Sequence, residues 1–327
     1  RSHAERHPEL YHGISSFNIK TGKPLKQKTD SYSHIFGKKL VEMAEENDKI
    51  VAVCAAMPDG TGLTQFEDNF PNRFFDVGIA EQHAVTMAAG LAISGMRPYV
   101  AIYSTFLQRA YDQILHDVCM QNLPVVFCID RAGLVGEDGE THQGVFDISY
   151  LRTMPNMTVM APKDIKELQQ MLDYSIHMEG PIAIRYPKGY ELCSIEQKNA
   201  KLPSWELLYD GKDCVILAVG RMVSTALKVR NILKKFGMDI GVVNARVVKP
   251  LDKKMLMDLY KKHSLWITLE DNIIAGGFGS SVNEFLNSEN LNLNIKNFGI
   301  PDSFIPHGNV DILFRKLGLD EENLAWD

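Results

Sequence analysis

The stretch PVVFCIDRAGLVGEDGETHQGVFD (124–147) decides the fold class, because it joins a continuous apolar segment to a long polar loop. Residues 124–130 are β-prone and do not alternate between apolar and polar, which is typical of a strand buried on both faces. The glycine-rich loop that follows is long for a compact domain, and loops of that kind are usually functional. Its candidate site residues are Arg131, Asp138 and His142.

Similar apolar runs lie on both sides of this stretch. They are IVAVC (50–54), YVAIY (99–103), MTVMAP (157–162) and PIAIRY (181–186). Helical patterns separate them, at 33–46, 81–94, 105–121 and 164–178. This alternation predicts an α/β fold with a doubly wound, mainly parallel sheet over residues 31–190. A second set of alternating segments begins at CVILAV (214–219) and predicts a smaller α/β domain of the same architecture over residues 205–327.

Two polar, irregular segments flank the first predicted domain. Residues 1–30 begin with Arg1 rather than Met, and we expect them to form a linker or arm. Residues 191–204 carry few apolar side chains in series, and we expect them to link the two domains.

The composition excludes several classes of function. The net charge of −6 gives no reason to expect a nucleic acid or an anionic membrane as partner. No apolar run approaches the ~20 residues of a membrane-spanning helix. The five cysteines are scattered, mostly in apolar runs, which fits a reducing compartment. We therefore predict a cytoplasmic protein with neither nucleic acid nor membrane as partner.

Open α/β sheets bind ligands at the carboxyl ends of their strands, so polar residues at those positions are candidates. The segment FFDVGIAEQHAV (74–85) places Glu81 in the first turn of a helix, either as a capping acid or as a buried carboxylate that exchanges a proton with a heterocycle. Further candidates at the strand ends are Tyr103, Phe106, Arg109 and Arg185. Phe106 could also be a core residue, and Arg109 a surface charge. No histidine has a partner at metal-ligand spacing, so we predict no metal site in this chain.

The same segments, in this order, resemble the 1-deoxy-D-xylulose 5-phosphate synthase family of the transketolase group. The matching stretches are RFFDVGIAEQHAVTMAAGLA, IYSTFLQRAYDQILHDV, LPVVFCIDRAGLVGEDGETHQGVFDISYLR, RYPKG, LEDNIIAGGFGSSV and GIPDSFIPHG. The resemblance covers nearly the whole chain, but only the C-terminal half of the family's usual length. It implies a pyrimidine-binding domain for thiamin diphosphate, followed by a transketolase C-terminal domain.

The resemblance also implies an activity. Family members join pyruvate to glyceraldehyde 3-phosphate with loss of CO₂, a transferase reaction that feeds isoprenoid and thiamin biosynthesis. They use thiamin diphosphate, whose Mg²⁺ is bound by an N-terminal domain that this sequence lacks, since no GDG motif occurs in it. We therefore expect the chain alone to be inactive, to need the missing N-terminal domain as partner, and to form a homodimer.

Residue roles follow from the matching positions. Glu81 and His142 match residues with catalytic roles, and Glu81, Phe106 and Ile79 match positions beside the cofactor's pyrimidine ring. Tyr103, Arg109 and Asp138 match residues that line the substrate pocket. Arg131 and Arg185 match the arginines expected to bind the aldehyde's phosphate, a role that suits the paired donors of a guanidinium.

Three other functions stay open. A β subunit of a 2-oxo acid dehydrogenase has the same two domains and works beside a separate chain. A transketolase fragment would also fit the domain content. A non-catalytic assembly module is the third alternative, although decay of the site would not be expected to spare all of its charged and aromatic residues.

Overall fold

The computed structural model describes residues 31–190 and 201–327, together with Glu5, Asn18, Ile19, Thr21 and Ile195. The predicted linkers over 1–30 and 191–204 lie largely outside these described residues. Strands and helices are numbered below in chain order within the described part.

The first domain is built on a sheet whose strands are β1 (Ile50–Cys54), β2 (Phe74–Asp76), β3 (Arg97–Tyr103), β4 (Val126–Asp130), β5 (Thr158–Met160) and β6 (Ile182–Arg185). A seventh strand, Val247–Lys249, comes from the second domain and pairs antiparallel with β5. It is β10 in chain order, and the strand order is β10-β5-β6-β4-β3-β1-β2. The other strand pairs are parallel, which places the carboxyl ends of β1 to β6 at one edge of the sheet.

The helices of the first domain are α1 (Tyr32–Glu46), α2 (Thr64–Asn69), α3 (Glu81–Ile93), α4 (Asp147–Leu151) and α5 (Ile165–Ser175). Ser31 caps α1, because its hydroxyl accepts a hydrogen bond from the backbone N–H of His34. The helix predicted over 105–121 is less regular than expected. It consists of four short helical turns, Ser104–Leu107, Gln108–Ala110, Tyr111–Gln113 and Ile114–Cys119, the last of which is a π-helix.

The second domain has a five-stranded sheet in the order β12-β11-β8-β9-β7. Its strands are β7 (Glu206–Tyr209), β8 (Cys214–Ala218), β9 (Ile240–Asn244), β11 (Leu265–Ile273) and β12 (Asn294–Ile300). Its helices are α6 (Met222–Lys234), α7 (Lys253–Tyr260), α8 (Phe278–Ser288), α9 (Val310–Lys316) and α10 (Glu321–Trp326). Only β7 runs antiparallel to its neighbour.

The predicted fold class is confirmed. Each of the five apolar runs predicted as strands in the first domain forms one, and the run at 50–54 matches β1 residue for residue. The sequence did not predict the antiparallel edge strands β7 and β10, nor the short helices α2, α4 and α10.

A buried arginine joins the two domains. Arg185, at the end of β6, donates from Nε to Asp147 Oδ2 and from Nη1 to Asp271 Oδ1, each at 2.6 Å. Asp147 begins α4 in the first domain, whereas Asp271 belongs to β11 in the second. Burial opposes the charge of Arg185, but the two carboxylates outweigh it and raise the pKa of the guanidinium. One guanidinium and two carboxylates therefore form an ionic cluster inside the protein.

A second buried cluster lies beside β10. The Lys163 ammonium is 2.8 Å from Glu206 Oε2 and 3.3 Å from Glu167 Oε1, so it bridges a residue of β7 and a residue of α5. Asn244 donates to Glu167 at 2.9 Å from the end of β9. Charges from both domains thus pair with each other where the two sheets meet.

Replacing Asp271 with Ala should lower the free energy of unfolding by about 1–3 kcal/mol, because Arg185 Nη1 loses its buried acceptor and the ionic contact between the two domains disappears. Urea denaturation followed by tryptophan fluorescence measures this loss. The matched control is Asp258→Ala, which breaks a pair with Lys254 on the exposed surface and should cause no resolvable change. Equal effects of the two substitutions would show that the Arg185 cluster does not hold the domains together.

Candidate functional site

The candidate site lies at the edge where the parallel strands of the first sheet end. Tyr103 is the last residue of β3, Arg131 directly follows β4, and Glu81 begins the helix after β2. Because these strands run in the same direction, their last residues converge on one edge. The structure thus brings together side chains that are up to 50 positions apart in the sequence.

Glu81 is buried at the start of α3, with 3% of its surface exposed. Arg109 donates from Nη1 to Glu81 Oε1 at 3.0 Å, and no other side chain in the described part of the chain donates to this carboxylate. Glu81 is also the acidic residue in the first turn of α3, where a carboxylate suits the helix dipole.

Phe106 links Arg109, the hydrogen-bond partner of Glu81, to the other residues of the site. The Arg109 guanidinium lies 5.5 Å from the centroid of the Phe106 ring. The Tyr103 ring stacks on Phe106 with centroids 5.5 Å apart, and the His142 ring meets Phe106 edge-on at 5.4 Å. Phe106 is only partly buried, at the rim of the core. Its ring is therefore a shared contact between the helical turns after β3 and the glycine-rich loop after β4.

Arg131 continues the series of contacts. It has a φ of +57°, a left-handed conformation that is strained for a residue with a side chain. Its guanidinium lies 3.9 Å from the centroid of the Tyr103 ring and 3.4 Å from Asp138 Oδ2. Asp138 Oδ2 also accepts a hydrogen bond of 2.6 Å from the Lys188 ammonium. Partial burial opposes ionisation of Asp138, but Lys188 and Arg131 hold the pKa of that carboxyl below its ordinary value.

Arg131 and Lys188 line a cleft of about 600 Å³. Ser33 and His34, in the first turn of α1, line the same cleft, as do the carboxylates Asp59 and Asp68. Two cationic side chains and the N-terminus of a 15-residue helix thus face this space beside two acidic side chains. The sequence reasoning missed Lys188. The feature of the sequence that points to Lys188 is that it is the second basic residue of RYPKG and lies beyond the end of β6.

The structure does not place Arg185 in this cleft. Its guanidinium is buried between Asp147 and Asp271, and its charge is already neutralised there. The expectation that Arg185 binds a phosphate has no geometric support, because the side chain has 3% of its surface exposed and does not line the cleft.

The solvent exposure of two other candidate site residues, Ile79 and Tyr103, differs from what their expected roles beside the cofactor and the substrate suggest. Ile79 is 83% exposed, on the turn that precedes α3. Tyr103 is 2% exposed and its hydroxyl is buried without a hydrogen-bond partner in the described residues. Tyr103 therefore contributes its ring to the wall of the site, as a platform for Phe106 and Arg131.

The second domain fixes the glycine-rich loop that carries Asp138 and His142. Gln143 accepts a hydrogen bond from Val135 N at 2.8 Å and donates to Ile305 O and Pro306 O at 3.4 and 3.3 Å. Gly139 has a φ of +79°, and a Cβ there would lie 3.3 Å from His307 Cβ, so a larger residue has neither the conformation nor the room. Gln143 is therefore a loop anchor that the sequence did not reveal.

In the described part of the chain, no group of three or more His, Cys, Asp or Glu side chains could hold a metal ion. Among the same described residues, no helix has the length and apolar character needed to cross a bilayer.

Family models match both domains. The one described as the transketolase pyrimidine binding domain matches residues 28–190, and the one described as the transketolase C-terminal domain matches residues 204–324. The first segment contains β1 to β6 and the second contains β7 to β12, so β10 is the one strand of the first sheet that falls in the second segment.

Curated relatives share high sequence identity with the chain. It is 57% identical over 320 residues to 1-deoxy-D-xylulose-5-phosphate synthase of Clostridium tetani, covering 98% of this chain and 52% of that protein. The protein of the same name from Aquifex aeolicus is 52% identical over 324 residues, with the same coverage of 98% and 52%. The chain thus spans about half the length of the curated relatives it matches.

Solved structures agree with the family models. A split-gene transketolase, described as an inactive β4 tetramer, is 30% identical with a TM-score of 0.81, covering 91% of this chain and 96% of that one. A transketolase variant from Pichia stipitis shares the fold at 16% identity with a TM-score of 0.76, over 99% of this chain and half of that one. The chain therefore belongs to the transketolase family, of which it carries the pyrimidine-binding and C-terminal domains.

Proposed function

We propose that this chain forms the C-terminal half of a thiamin-diphosphate-dependent transferase that condenses pyruvate with glyceraldehyde 3-phosphate, releasing CO₂ and forming 1-deoxy-D-xylulose 5-phosphate. The observation that carries the proposal is the continuous set of contacts from Glu81 through Arg109, Phe106, Tyr103 and Arg131 to Asp138 and Lys188. It joins a buried carboxylate at one end to an anion-binding cleft at the other. The names of the curated relatives support the same assignment.

The residues at the Glu81 end suit the aminopyrimidine ring of thiamin. A buried carboxyl group that carries its proton can donate a hydrogen bond to a ring nitrogen, and the partly exposed Phe106 ring offers a flat apolar face. Ile79, exposed two residues before Glu81, is an apolar side chain available for a further contact. When bound, thiamin diphosphate supplies an electron sink for the carbon atom that loses CO₂. The diphosphate and its Mg²⁺ belong, in this proposal, to the preceding domain.

Glu81 holds and releases a proton at its carboxyl group, beside the pyrimidine. Arg109 bonds to one oxygen of Glu81 through one nitrogen, and more than half of its side chain is exposed. Its guanidinium can therefore also donate to the carboxylate of pyruvate. His142, whose Nδ1 lies 2.9 Å from Thr141 Oγ1, is near Phe106 and can exchange a proton with a substrate oxygen.

The phosphate of the aldehyde lies in the cleft between Lys188, Arg131 and the first turn of α1. Asp138 holds both cations in place when no anion is present, because its carboxylate contacts each of them. Lys188 takes the place that the sequence reasoning gave to Arg185. An ammonium and a guanidinium together bind a phosphate dianion through charge-assisted hydrogen bonds.

One observation supports the alternative of an enzyme made of two separate chains. The split-gene transketolase consists of a matching chain whose tetramer is described as inactive. This supports our expectation that the chain alone does not turn over substrate. It does not favour a dehydrogenase subunit, since the curated relatives carry the two domains within one longer chain. Homodimer formation and a cytoplasmic location remain predictions.

Glu81→Gln in the full-length protein should lower kcat by about 10²–10⁴-fold, because the amide cannot exchange the proton that the carboxyl holds. Steady-state assays of 1-deoxy-D-xylulose 5-phosphate formation measure the loss. The control Glu46→Gln changes an exposed acid at the end of α1 and should leave the rate unchanged. A Glu81→Gln variant that works at the wild-type rate would remove Glu81 from its proposed role.

Lys188→Ala should raise the KM for glyceraldehyde 3-phosphate about 10–100-fold, because one charge-assisted hydrogen bond to the phosphate is lost. The KM for pyruvate should not change, and the penalty should vanish with unphosphorylated glyceraldehyde. Lys166→Ala, on an exposed position of α5, is the control. If the variant affected pyruvate and the aldehyde equally, Lys188 would not be a phosphate ligand.

A further inference from the structure

The Asp76 side chain joins two backbone segments that both belong to the candidate site. Asp76 ends β2, and its register partner on the neighbouring strand is Cys54, the last residue of β1. Its Oδ1 atom accepts a hydrogen bond from Ala56 N at 2.7 Å and another from Gly78 N at 2.9 Å. One carboxylate oxygen therefore ties the segment after β1 to the segment after β2.

The segment after β2 leads directly to Glu81. Gly78 turns the chain with a φ of +70°, and Ala80 N donates to Gly78 O at 2.8 Å. Glu81 follows as the first residue of α3, and no side chain caps that helix at Ala80. The position of the Glu81 carboxyl group thus depends on the turn over residues 77–80, and the Asp76 carboxylate bonds to the middle of that turn.

The segment after β1 leads to the cleft. Ala56 has a φ of +61°, a left-handed conformation that is strained for a residue with a side chain and that persists only where its surroundings hold it. The loop that follows is closed by a hydrogen bond of 3.0 Å from Thr61 N to Met57 O. Asp59 and Gly60, within this loop, line the cleft. The bond from Ala56 to Asp76 therefore holds a strained residue at the start of a loop that forms part of the site.

The exposure of Asp76 separates its hydrogen bonds from any role in the core. The residue is exposed, at the end of the edge strand of the first sheet, so its side chain adds little to the packing of the interior. Hydrogen bonds from backbone N–H groups to a carboxylate are charge-assisted and stronger than those to a neutral oxygen. The contribution of Asp76 to the site thus lies in the two bonds that it accepts.

We propose that Asp76 is a positioning residue, which holds the start of α3, and with it the Glu81 carboxyl group, at a fixed place relative to the loop that lines the cleft. A role in aligning Glu81 with the pyrimidine ring of thiamin diphosphate rests on the proposed function. The tie between the two segments does not, because it follows from the hydrogen bonds of this chain alone.

The first test measures binding of thiamin diphosphate with Mg²⁺ to the full-length protein by calorimetry. Asp76→Ala should weaken binding about tenfold, because the hydrogen bond between Glu81 and the ring is no longer aligned. Asp76→Asn keeps one oxygen that can accept both N–H bonds, so its affinity should stay within about threefold of the wild type. The control is Asp48→Ala, at an exposed acid in the turn before β1, which should bind as the wild type does. Equal affinities of Asp76→Ala and the wild type would overturn the proposal.

The second test asks whether Asp76 acts through Glu81. Asp76→Ala, Glu81→Ala and the double variant form a cycle, and we expect the double variant to bind thiamin diphosphate no more weakly than Glu81→Ala alone. Once the Glu81 side chain is absent, its alignment has no further effect. A residue that only stabilises the fold would instead give losses that add, and additive losses would contradict a positioning role.

The third test needs no cofactor, and it separates this proposal from the proposed function. Hydrogen exchange of the full-length protein, followed by mass spectrometry, should be about tenfold faster over both 55–63 and 77–81 in Asp76→Ala, but not in Asp76→Asn. If the wild type does not bind thiamin diphosphate but both segments exchange faster, the proposed function fails and the tie through Asp76 stands. If the wild type binds thiamin diphosphate and exchange in the two segments is unchanged, the positioning role fails alone.

Discussion

The buried pairing of Arg185 with Asp147 and Asp271 is the constraint on which the site depends. Asp147 lies just after the glycine-rich loop, and Asp271 touches the loop's other end, where a Cβ on Gly133 would lie 2.1 Å from Asp271 Oδ2. The same carboxylate of the second domain thus fixes Arg185 and the start of the loop. Asp138 and His142 take their positions from a segment that has an ionic contact at its Asp147 end and close packing against Asp271 at its Gly133 end.

The loop is held in its middle as well. Gln143 bonds across to the segment around Pro306, and Ile273 N donates to Val145 O at 2.8 Å. The second domain has no strand end in the site, yet its contacts decide where the loop lies. In the LEDN segment (269–272), Asp271 and Asn272 are buried against the first domain. Glu270 is also buried, but it accepts hydrogen bonds from Phe278 N and Gly279 N at the start of α8.

Much of the fold was predictable because its strands are continuous apolar runs, and local sequence suffices to identify those. The site cluster was predictable because parallel strands bring their ends together. Arg185 was misplaced for a reason that no local pattern could reveal: its partner Asp271 lies 86 positions away in another domain. The local sequence around a basic residue at a strand end does not show whether its side chain faces a ligand or an internal carboxylate. Lys188, three residues further on, reaches the cleft because it lies beyond the strand.

The three-residue strand β10 has a consequence for how the molecule can be divided. It pairs with β5, so the first sheet is completed by a segment that follows β9 of the other domain. A protein cut between the two sheets would expose the N–H and C=O groups of β5, and a bare edge of that kind recruits strands from neighbouring molecules. Separating the two domains at this boundary therefore carries an aggregation hazard.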